Sequence, residues 1–403
     1  MKLTAPKGFK DYLPEEALPR RIAIGKIAET FQKFGFDPLE TPTLEYEETL
    51  TGKYGEEEKL IYKFETPGGD KVALKYDQTV PLARVIAQYG PNGAQKLPMP
   101  FKRFQIQPAY RGENTQKGRY REFMQCDADI IGPSTPLADA ELLALASEIY
   151  KNLGLNVVIK INDRELLKGI EPKYLAAIDK LNKIGQSGVL EEMVKKGLSQ
   201  GEAEALFERI TQNQPTENLS QIITFYEQMG YNKETLQFDP TLIRGLDYYT
   251  GLILEVVLAS NPNSSSLCGG GRYDNLIGKL SGLDVAATGF AVGLDRTIEA
   301  MQEEGVLNAA ASASQVLISI FSPDLVKNSV EVTTLLRGKG ISAEIYLDPQ
   351  AKLEKQLKYA DNKKIPYVVI IGPEEAQSGQ VVLKNLAQRT QEKISLDHLS
   401  SKF

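Results

Sequence analysis

Residues 101–132, with the sequence FKRFQIQPAYRGENTQKGRYREFMQCDADIIG, predict two neighbouring strands separated by a polar loop. The strands cover residues 102–111 and 121–132, and the loop covers residues 112–120. The stretch is also locally basic, which is a weak signal for a polyanionic partner, because such binding depends on a local patch and not on total charge. Its basic side chains are Lys102, Arg103, Arg111, Lys117, Arg119 and Arg121, against Glu113 and Glu122.

Before this pair of strands, apolar residues at three- and four-residue steps predict a helix over residues 15–34, which Gly35 ends. An extended segment with Pro38 and Pro42 follows, and prolines place such a segment at an edge, a strand start or a bulge. Residues 60–76 predict a hairpin with its turn at residues 67–70. Further helices are predicted after Thr79 and over residues 139–153, with a strand at residues 157–161.

The remaining chain predicts three further regions. Residues 164–235 are charged and rich in helical pattern, which indicates a helical insertion, and sheet character resumes at Thr241. Beyond a linker at residues 311–315, strands alternate with helices and predict a small parallel sheet. The fold class is therefore α+β: a mostly antiparallel domain over residues 1–310 that carries the insertion, followed by an α/β domain over residues 315–403.

Composition limits the chemistry that is open to the chain. With 403 residues, 42% hydrophobic and 25% charged, the sequence is typical of a globular protein of two or three domains. Two cysteines and a single histidine, His398, exclude a disulfide framework and practically exclude Ser-His, Cys-His and His-metal chemistry. No apolar run is long enough for a membrane span, and residues 1–16 lack a signal-peptide core, so we expect a cytoplasmic protein without membrane contact.

A second motif, RGLDYYTG at residues 244–251, contains a permanent cation, a carboxylate, two phenols and two glycines within eight residues. By itself it also fits a tight turn before an apolar strand, with Arg244 and Asp247 as a solvated ion pair. In the same way, Phe123 could be a core aromatic residue and Arg296 a helix-surface residue. The three glycines at residues 269–271 fit either a turn or a close approach of the backbone to a ligand.

Several motifs in order resemble those of histidyl-tRNA synthetases, which are class II aminoacyl-tRNA synthetases. Residues 109–129 resemble the second class II motif, TGFAVGLDR at residues 288–296 resembles the third, and the first helix with Pro42 is similar to the first, dimer-forming motif. RGLDYYTG, CGGGRYDNLI at residues 268–277 and LKYDQTVPLAR at residues 74–84 resemble signatures of the histidine-specific family. The resemblance implies a class II catalytic domain and a C-terminal anticodon-binding domain.

The resemblance also implies a reaction and its residues. L-Histidine would be activated by ATP, with Mg²⁺ bound to the nucleotide and no protein metal site, and then transferred to the 3′ end of tRNA(His) by a homodimer. Arg111, Arg244 and Gln125 would be catalytic, with both arginines at the α-phosphate, where a planar cationic fork suits two oxygens. ATP would contact Arg111, Glu113, Phe123 and Arg296.

By the same resemblance, L-histidine would contact nine residues: Asp77, Gln78, Thr79, Arg111, Gln125, Asp129, Arg244, Tyr248 and Tyr249. Gln116, Lys117 and Arg119 would reach the acceptor end of the tRNA. Lys75 and Cys268 depart from the family pattern, where arginine and a small residue are more usual.

One alternative belongs to a different functional class. A paralogue of this family binds histidine as the regulatory subunit of ATP phosphoribosyltransferase without charging tRNA, and such proteins usually lack the signature arginines and the anticodon-binding domain. A synthetase for threonine, proline or glycine is disfavoured by RGLDYYTG and by the absence of zinc-type ligands.

Overall fold

The structure is a computed structural model that describes residues 3–52, 55–91, 96–115, 118–244, 249–307 and 312–403. Contacts divide the chain into two compact units: residues 1–11 with 22–307, and residues 12–21 with 308–403. None of the described helices is both long enough and apolar enough to cross a membrane.

Among the residues that the structure describes, the first unit contains eleven strands and most of ten α-helices. The strands are Asp37–Pro38 (β1), Leu44–Tyr46 (β2), Lys63–Glu65 (β3), Lys71–Leu74 (β4), Phe101–Tyr110 (β5), Glu122–Gly132 (β6), Val157–Asp163 (β7), Leu236–Phe238 (β8), Leu252–Leu258 (β9), Cys268–Arg272 (β10) and Ala286–Gly293 (β11). The helices are Pro14–Lys33 (α1), Glu47–Leu50 (α2), Thr79–Tyr89 (α3), Pro136–Leu153 (α4), Pro172–Ile178 (α5), Leu181–Lys195 (α6), Gln200–Thr211 (α7), Glu217–Gln228 (α8), Asp274–Ser281 (α9) and Leu294–Glu303 (α10). The division between the units passes through α1.

An eight-stranded sheet in the order β1-β5-β6-β11-β10-β9-β7-β8 forms the centre of the first unit. Its strands are antiparallel except at the two edges, where β1 runs parallel to β5 and β8 runs parallel to β7. The stretch at residues 101–132 forms β5 and β6, whose antiparallel pairing is the longest in this sheet. It runs from Phe101 opposite Ile131 to Tyr110 opposite Glu122. The prediction of a mostly antiparallel α+β domain is therefore confirmed, and Pro38 lies in an edge strand as predicted.

The two faces of this sheet differ in character because side chains alternate along a strand. Cys126, Ala128 and Ile130 of β6 point into the main hydrophobic core, where α1 and α4 pack. Phe31 of α1 stacks there on Phe104 of β5, with ring centroids 5.2 Å apart. The intervening residues of β6 face the opposite side, which we call the open face.

Glycines and capping side chains determine where several helices begin and end. Gly35 has a φ of 72° and ends α1, as the sequence predicts. The helix predicted from residue 139 begins earlier, at Pro136, because the Thr135 hydroxyl accepts a hydrogen bond from the backbone amide of Ala138. Gly154 then closes the same helix in the left-handed conformation. In the insertion, Ser199 and Glu202 form a reciprocal capping box at the start of α7.

The insertion is helical, as predicted, and α5, α6 and α7 share a core that includes Leu175, Met193 and Phe207. The prediction that sheet structure resumes at Thr241 is wrong. Leu242 and Ile243 instead pack into the core of the insertion, and the long strand β9 begins only at Leu252.

The second unit has a five-stranded sheet in the order β13-β12-β14-β15-β16. Its strands are Val316–Ile318 (β12), Ala343–Ile345 (β13), Tyr367–Ile370 (β14), Gln380–Asn385 (β15) and Thr390–Ser395 (β16), and its helices are Val326–Gly338 (α11), Leu353–Asn362 (α12), Pro373–Ser378 (α13) and Leu396–Leu399 (α14). The first three strands are parallel, but β15 and β16 are antiparallel, so the predicted parallel sheet is in fact mixed.

Candidate active site

Two connected cavities lie on the open face of the large sheet. The outer pocket, of about 240 Å³, is lined by Arg111, Glu113, Gly118, Arg119, Tyr120, Phe123, Met124, Gln125, Arg244, Glu255, Ser266, Leu267, Cys268, Gly269, Ala291, Gly293, Asp295 and Arg296. The inner pocket, of about 80 Å³, is lined by Asp77, Thr79, Arg111, Gln125, Asp127, Asp129, Arg244, Tyr249, Gly269, Gly270, Tyr273, Gly289, Phe290 and Ala291. Arg111, Gln125 and Arg244 line both cavities and therefore stand at their junction.

The register of the sheet explains why there is space on this face. Asp127 of β6 lies opposite Ala291 of β11, which lies opposite Gly269 of β10, which lies opposite Glu255 of β9. The two central positions of this row have almost no side chain. The result is a cleft with carboxylates on both sides, and a ligand can rest against the strands between them.

Arg111 enters the junction from the end of β5. Its guanidinium carbon lies 4.4 Å from the centre of the Tyr76 ring and 5.1 Å from the centre of the Phe123 ring. Its Nε donates a hydrogen bond of 3.2 Å to the carbonyl oxygen of Tyr76. These contacts hold the side chain by one edge and by its faces, which fixes the direction of the cationic fork.

Arg244 reaches the junction from the opposite side of the cleft. Its Nη1 lies 3.4 Å from Glu255 Oε1. A Cβ at Gly269 would come within 2.3 Å of the same nitrogen, so glycine at this position leaves the room that the guanidinium occupies. Gly269 lies within β10 and not in a turn, and its backbone lies directly beneath this guanidinium.

The other predicted nucleotide contacts surround the outer pocket. Glu113 pairs with Arg119, and Arg296 Nη1 donates to the carbonyl oxygen of Ser266 at 3.0 Å. Burial, followed by the neighbouring charge of Arg119, lowers the pKa of Arg296 from its usual value. Phe123 also lines this cavity. Several cations thus line one pocket, and such a pocket suits a polyanion.

The segment before α3 supplies the far wall of the inner pocket. Asp77 Oδ1 accepts hydrogen bonds from the backbone amides of Thr79 and Val80, at 3.0 and 3.1 Å, and so caps the helix. Gln78 is fully buried and its Nε2 donates to the carbonyl oxygens of Gln107 and Gln125. Gln78 is not among the residues that line either cavity, and its side chain ties α3 to the sheet.

Asp129 lies at the end of the inner pocket in a buried network. Its Oδ2 is 2.7 Å from Nη2 of Arg103, which is fully buried, and its Oδ1 accepts a hydrogen bond from the Tyr273 hydroxyl. Burial raises the pKa of Asp129, while Arg103 and the Tyr273 hydrogen bond act in the opposite direction. Arg103 Nη1 continues the network to Gln105 Oε1 at 3.2 Å. The carboxylate is therefore held in one orientation.

Lys75, one of the departures from the family pattern, lies beneath this region. Its side chain is buried, and its Nζ donates to Gln107 Oε1 at 2.8 Å. Burial lowers its pKa to about 8. Cys268, the other departure, belongs to the main hydrophobic core.

The structure gathers most of the residues that the sequence predicts for the site. Arg111, Arg244, Gln125, Glu113, Phe123, Arg119 and Arg296 line the outer pocket, and Asp77, Thr79, Asp129 and Tyr249 line the inner pocket. Tyr248, Gln116 and Lys117 lie outside the described residues. In the part of the chain that is described, no group of three or more His, Cys, Asp or Glu side chains is placed to hold a metal ion.

Three charged residues of the site escaped the sequence interpretation: Asp127, Glu255 and Arg103. A signal for the first was present, because QCDAD alternates polar and apolar residues, and Asp127 shares its face with Gln125 and Asp129. Glu255 was the single charge in the apolar strand LILEVVL. For Arg103, strand alternation predicts which face of the sheet its side chain is on. It does not predict the ion-pair partner, Asp129, which belongs to the neighbouring strand β6.

Gly289 provides a test of the packing in the inner pocket. A Cβ at this position would lie 1.9 Å from Asp129 Oδ1 and 2.9 Å from the carbonyl oxygen of Ala128. We expect Gly289→Ala to displace the Asp129 carboxylate and to weaken binding of L-histidine, the ligand that the sequence resemblance implies, by about tenfold or more, measured by isothermal titration calorimetry. Gly201→Ala is the matched control, because a Cβ there meets nothing within 4 Å. Equal affinities in the two variants would contradict this description of the pocket.

Comparison with known proteins gives a consistent result. The family model described as "Histidyl-tRNA synthetase" matches residues 8–297, and the model described as "Anticodon binding domain" matches residues 315–403. The chain is 40% identical over 448 residues to the histidine–tRNA ligase of Gloeobacter violaceus, with 96% of each chain covered.

Two solved structures are also similar. Histidyl-tRNA synthetase from Nostoc sp. PCC 7120 has a TM-score of 0.87 and 28% identity, and the match covers 100% of this chain and 99% of that one. An ATP phosphoribosyltransferase regulatory subunit/histidyl-tRNA synthetase from Bacillus halodurans has a TM-score of 0.71 and 25% identity, with 89% of this chain and 96% of that one covered.

Proposed function

This chain belongs to the histidyl-tRNA synthetase family, and we propose that it activates L-histidine with ATP and transfers it to the 3′ end of tRNA(His). The observation that carries the proposal is the junction of the two pockets, where Arg111 and Arg244 face one cleft from opposite sides. A nucleotide fits the larger, more cationic outer pocket. An amino acid fits the smaller inner pocket, which carries the carboxylates Asp77, Asp127 and Asp129.

In the first step, a carboxylate oxygen of histidine attacks the α-phosphorus of ATP, and the bond from that phosphorus to the bridging oxygen of pyrophosphate breaks. Two anions must meet, and negative charge grows on the phosphate oxygens as they do. Arg111 and Arg244 supply fixed, permanently charged donors at this point, which stabilise charge where it develops. No protein base is needed, because the nucleophile is already ionised.

In the second step, a hydroxyl of the terminal ribose attacks the carbonyl carbon of the adenylate, and AMP leaves. The hydroxyl proton passes to an oxygen of the leaving phosphate. Arg111 and Arg244 hold that phosphate, and Gln125 lies at the same junction, where it can orient the carbonyl group.

Magnesium would enter with the nucleotide. It prefers oxygen ligands and usually combines one or two carboxylates with substrate phosphates. Glu113 and Glu255 bring carboxylates to the outer pocket, where the phosphates would lie, so the residues present fit an ion of this kind. Bound there, the ion would neutralise charge on the leaving pyrophosphate.

Two regions of the chain would recognise the tRNA. Arg119 lines the outer pocket and, with Gln116 and Lys117, would contact the acceptor end. The second unit matches an anticodon-binding domain and would read unpaired anticodon bases. The homodimer and the cytoplasmic location stay predictions from the sequence.

The experiment that tests this function is ATP–pyrophosphate exchange with the purified protein and each amino acid in turn. We expect exchange with L-histidine and none above background with the others. Exchange driven equally by another amino acid would contradict the substrate assignment. No exchange, together with a stable complex with an ATP phosphoribosyltransferase, would instead favour the regulatory alternative that the likeness to the Bacillus halodurans protein raises.

A further inference from the structure

One buried side chain holds the backbone just before Arg244. Asn162, near the end of β7, is fully buried, and its Nδ2 donates hydrogen bonds to the carbonyl oxygens of Pro240 and Leu242, at 3.2 and 3.0 Å. Its Oδ1 accepts a hydrogen bond of 2.8 Å from the backbone amide of Asp163. Both donors of this amide group are therefore used on carbonyl groups that lie four and two residues before Arg244.

The segment that contains these carbonyl groups, residues 239–243, is attached to β7 at further points. The backbone amide of Asp239 donates to the carbonyl oxygen of Ile161 at 3.0 Å and so continues the pairing of β8 with β7. Asp239 Oδ1 accepts from the backbone amide and the hydroxyl of Thr241, at 3.0 and 2.6 Å. The segment is therefore a turn with a fixed backbone path at the end of β7.

Apolar packing continues this attachment as far as Arg244. Leu242 and Ile243 are buried in the core of the insertion, and this core also includes Ile253 of β9. Ile253 lies directly opposite Asn162 in the sheet. Consecutive Cα atoms are 3.8 Å apart, so the Cα atom of Arg244 lies at most about 8 Å from that of Leu242. The backbone of Arg244 therefore follows directly from residues whose position is fixed.

The position of the Arg244 backbone matters for the reaction that we propose. At the other end of the side chain, Nη1 lies 3.4 Å from Glu255 Oε1, above the backbone of Gly269. The guanidinium must point its planar fork at one phosphate, and a shift of its Cα atom moves the fork with it. A misplacement of about 1 Å at a reacting centre can cost roughly 100-fold in rate.

We propose that Asn162 positions Arg244 for the α-phosphate, by holding the carbonyl groups of Pro240 and Leu242. Asn162 is not among the residues that line either cavity, so it is a positioning residue that acts through Arg244. The assignment rests on the proposed function, since it requires that Arg244 acts on the reacting phosphate. It also gives the base of the insertion a role, because Asn162 joins the start of the insertion to the segment that follows its end.

The test is a kinetic double-mutant cycle in histidine-dependent ATP–pyrophosphate exchange, with the full chain as wild type, Asn162→Ala, Arg244→Ala and the double variant. For Asn162→Ala we expect kcat to fall by about tenfold or more, and the KM values for ATP and histidine to change by less than about threefold, because a displaced cation is missed mainly in the transition state. In the Arg244→Ala background, the same change should lower kcat by less than about twofold, because residues that act as a unit are not additive.

A purely structural role for Asn162 gives a different result. Loss of folded protein would lower kcat by the same factor with and without the Arg244 side chain. Asn162→Asp is the second variant, for the case that Asn162→Ala does not fold. It has nearly the same size and keeps the acceptor for the Asp163 amide, but it cannot donate to both carbonyl groups, so we expect a loss in the same direction.

Ser199→Ala is the matched control. It removes the side chain that caps α7 and so disturbs the insertion away from residues 239–243, and it should retain the wild-type kcat. A wild-type kcat in both Asn162 variants, equal losses in the two backgrounds, or a loss of the same size in Ser199→Ala would each overturn the assignment. If the wild type itself supports no histidine-dependent exchange, the proposed function fails instead, so the two failures are distinguishable.

Discussion

Arg244→Ala is expected to lower histidine-dependent ATP–pyrophosphate exchange by about 100- to 1,000-fold, as the loss of one preorganised donor to a developing charge typically does. Arg244 is placed at the junction of the pockets, above the backbone of Gly269. The loss should appear mainly in kcat, because charge on the α-phosphate is greatest in the transition state.

Two further variants make the result specific. Arg244→Lys keeps a charge but not the planar fork, and we expect it to recover only part of the activity. Arg209→Ala removes an exposed arginine of α7 in the insertion and should retain wild-type exchange. A rate for Arg244→Ala within a few-fold of the wild type would show that this guanidinium does not act on the reacting phosphate.

Arg103→Met is expected to destabilise the protein by about 3–5 kcal/mol, which is the usual cost of removing one partner of a buried ion pair. Arg103 is fully buried, and its guanidinium lies 2.7 Å from Asp129. It also lowers the pKa values of both Asp127 and Asp129, so its loss would leave two buried carboxylates without their main counter-charge.

Urea unfolding of the wild type, Arg103→Met, Asp129→Asn and the double variant forms a double-mutant cycle that measures this pair. The double variant should be less destabilised than the sum of the single variants, because Asp129→Asn removes the charge that Arg103→Met leaves unpaired. Strict additivity of the two changes would contradict a direct pairing between these side chains.

The sequence predicts the outline of this fold because strand alternation, helix periodicity and turn residues are local properties. The pairing at residues 101–132 and the helix that ends at Gly35 are both of this kind. The antiparallel strand β16 was missed because most of its residues are exposed and polar and carry no apolar period. The strand expected at Thr241 failed because tertiary packing of Leu242 and Ile243 took precedence over local pattern.

In the candidate site, too, residues that belong to a local motif were predicted, and contacts between distant strands were not. The motifs predicted Arg111 and Arg244 as site residues, because each stands at a fixed position within its motif. The motif at residues 74–84 also pointed to Gln78, but the structure directs that side chain to backbone carbonyls of the sheet. Contacts between strands that are distant in sequence, such as Arg103 with Asp129 and Asp129 with Tyr273, become visible only when the register is known.

A crystal structure with L-histidine and a non-hydrolysable ATP analogue bound would measure the geometry at the junction directly. We expect both guanidinium groups, those of Arg111 and Arg244, within about 3.2 Å of oxygens on the same α-phosphate, with the histidine carboxylate facing that phosphorus. A complex in which either guanidinium contacts only protein groups, while the two ligands occupy the pockets, would contradict activation by paired arginines.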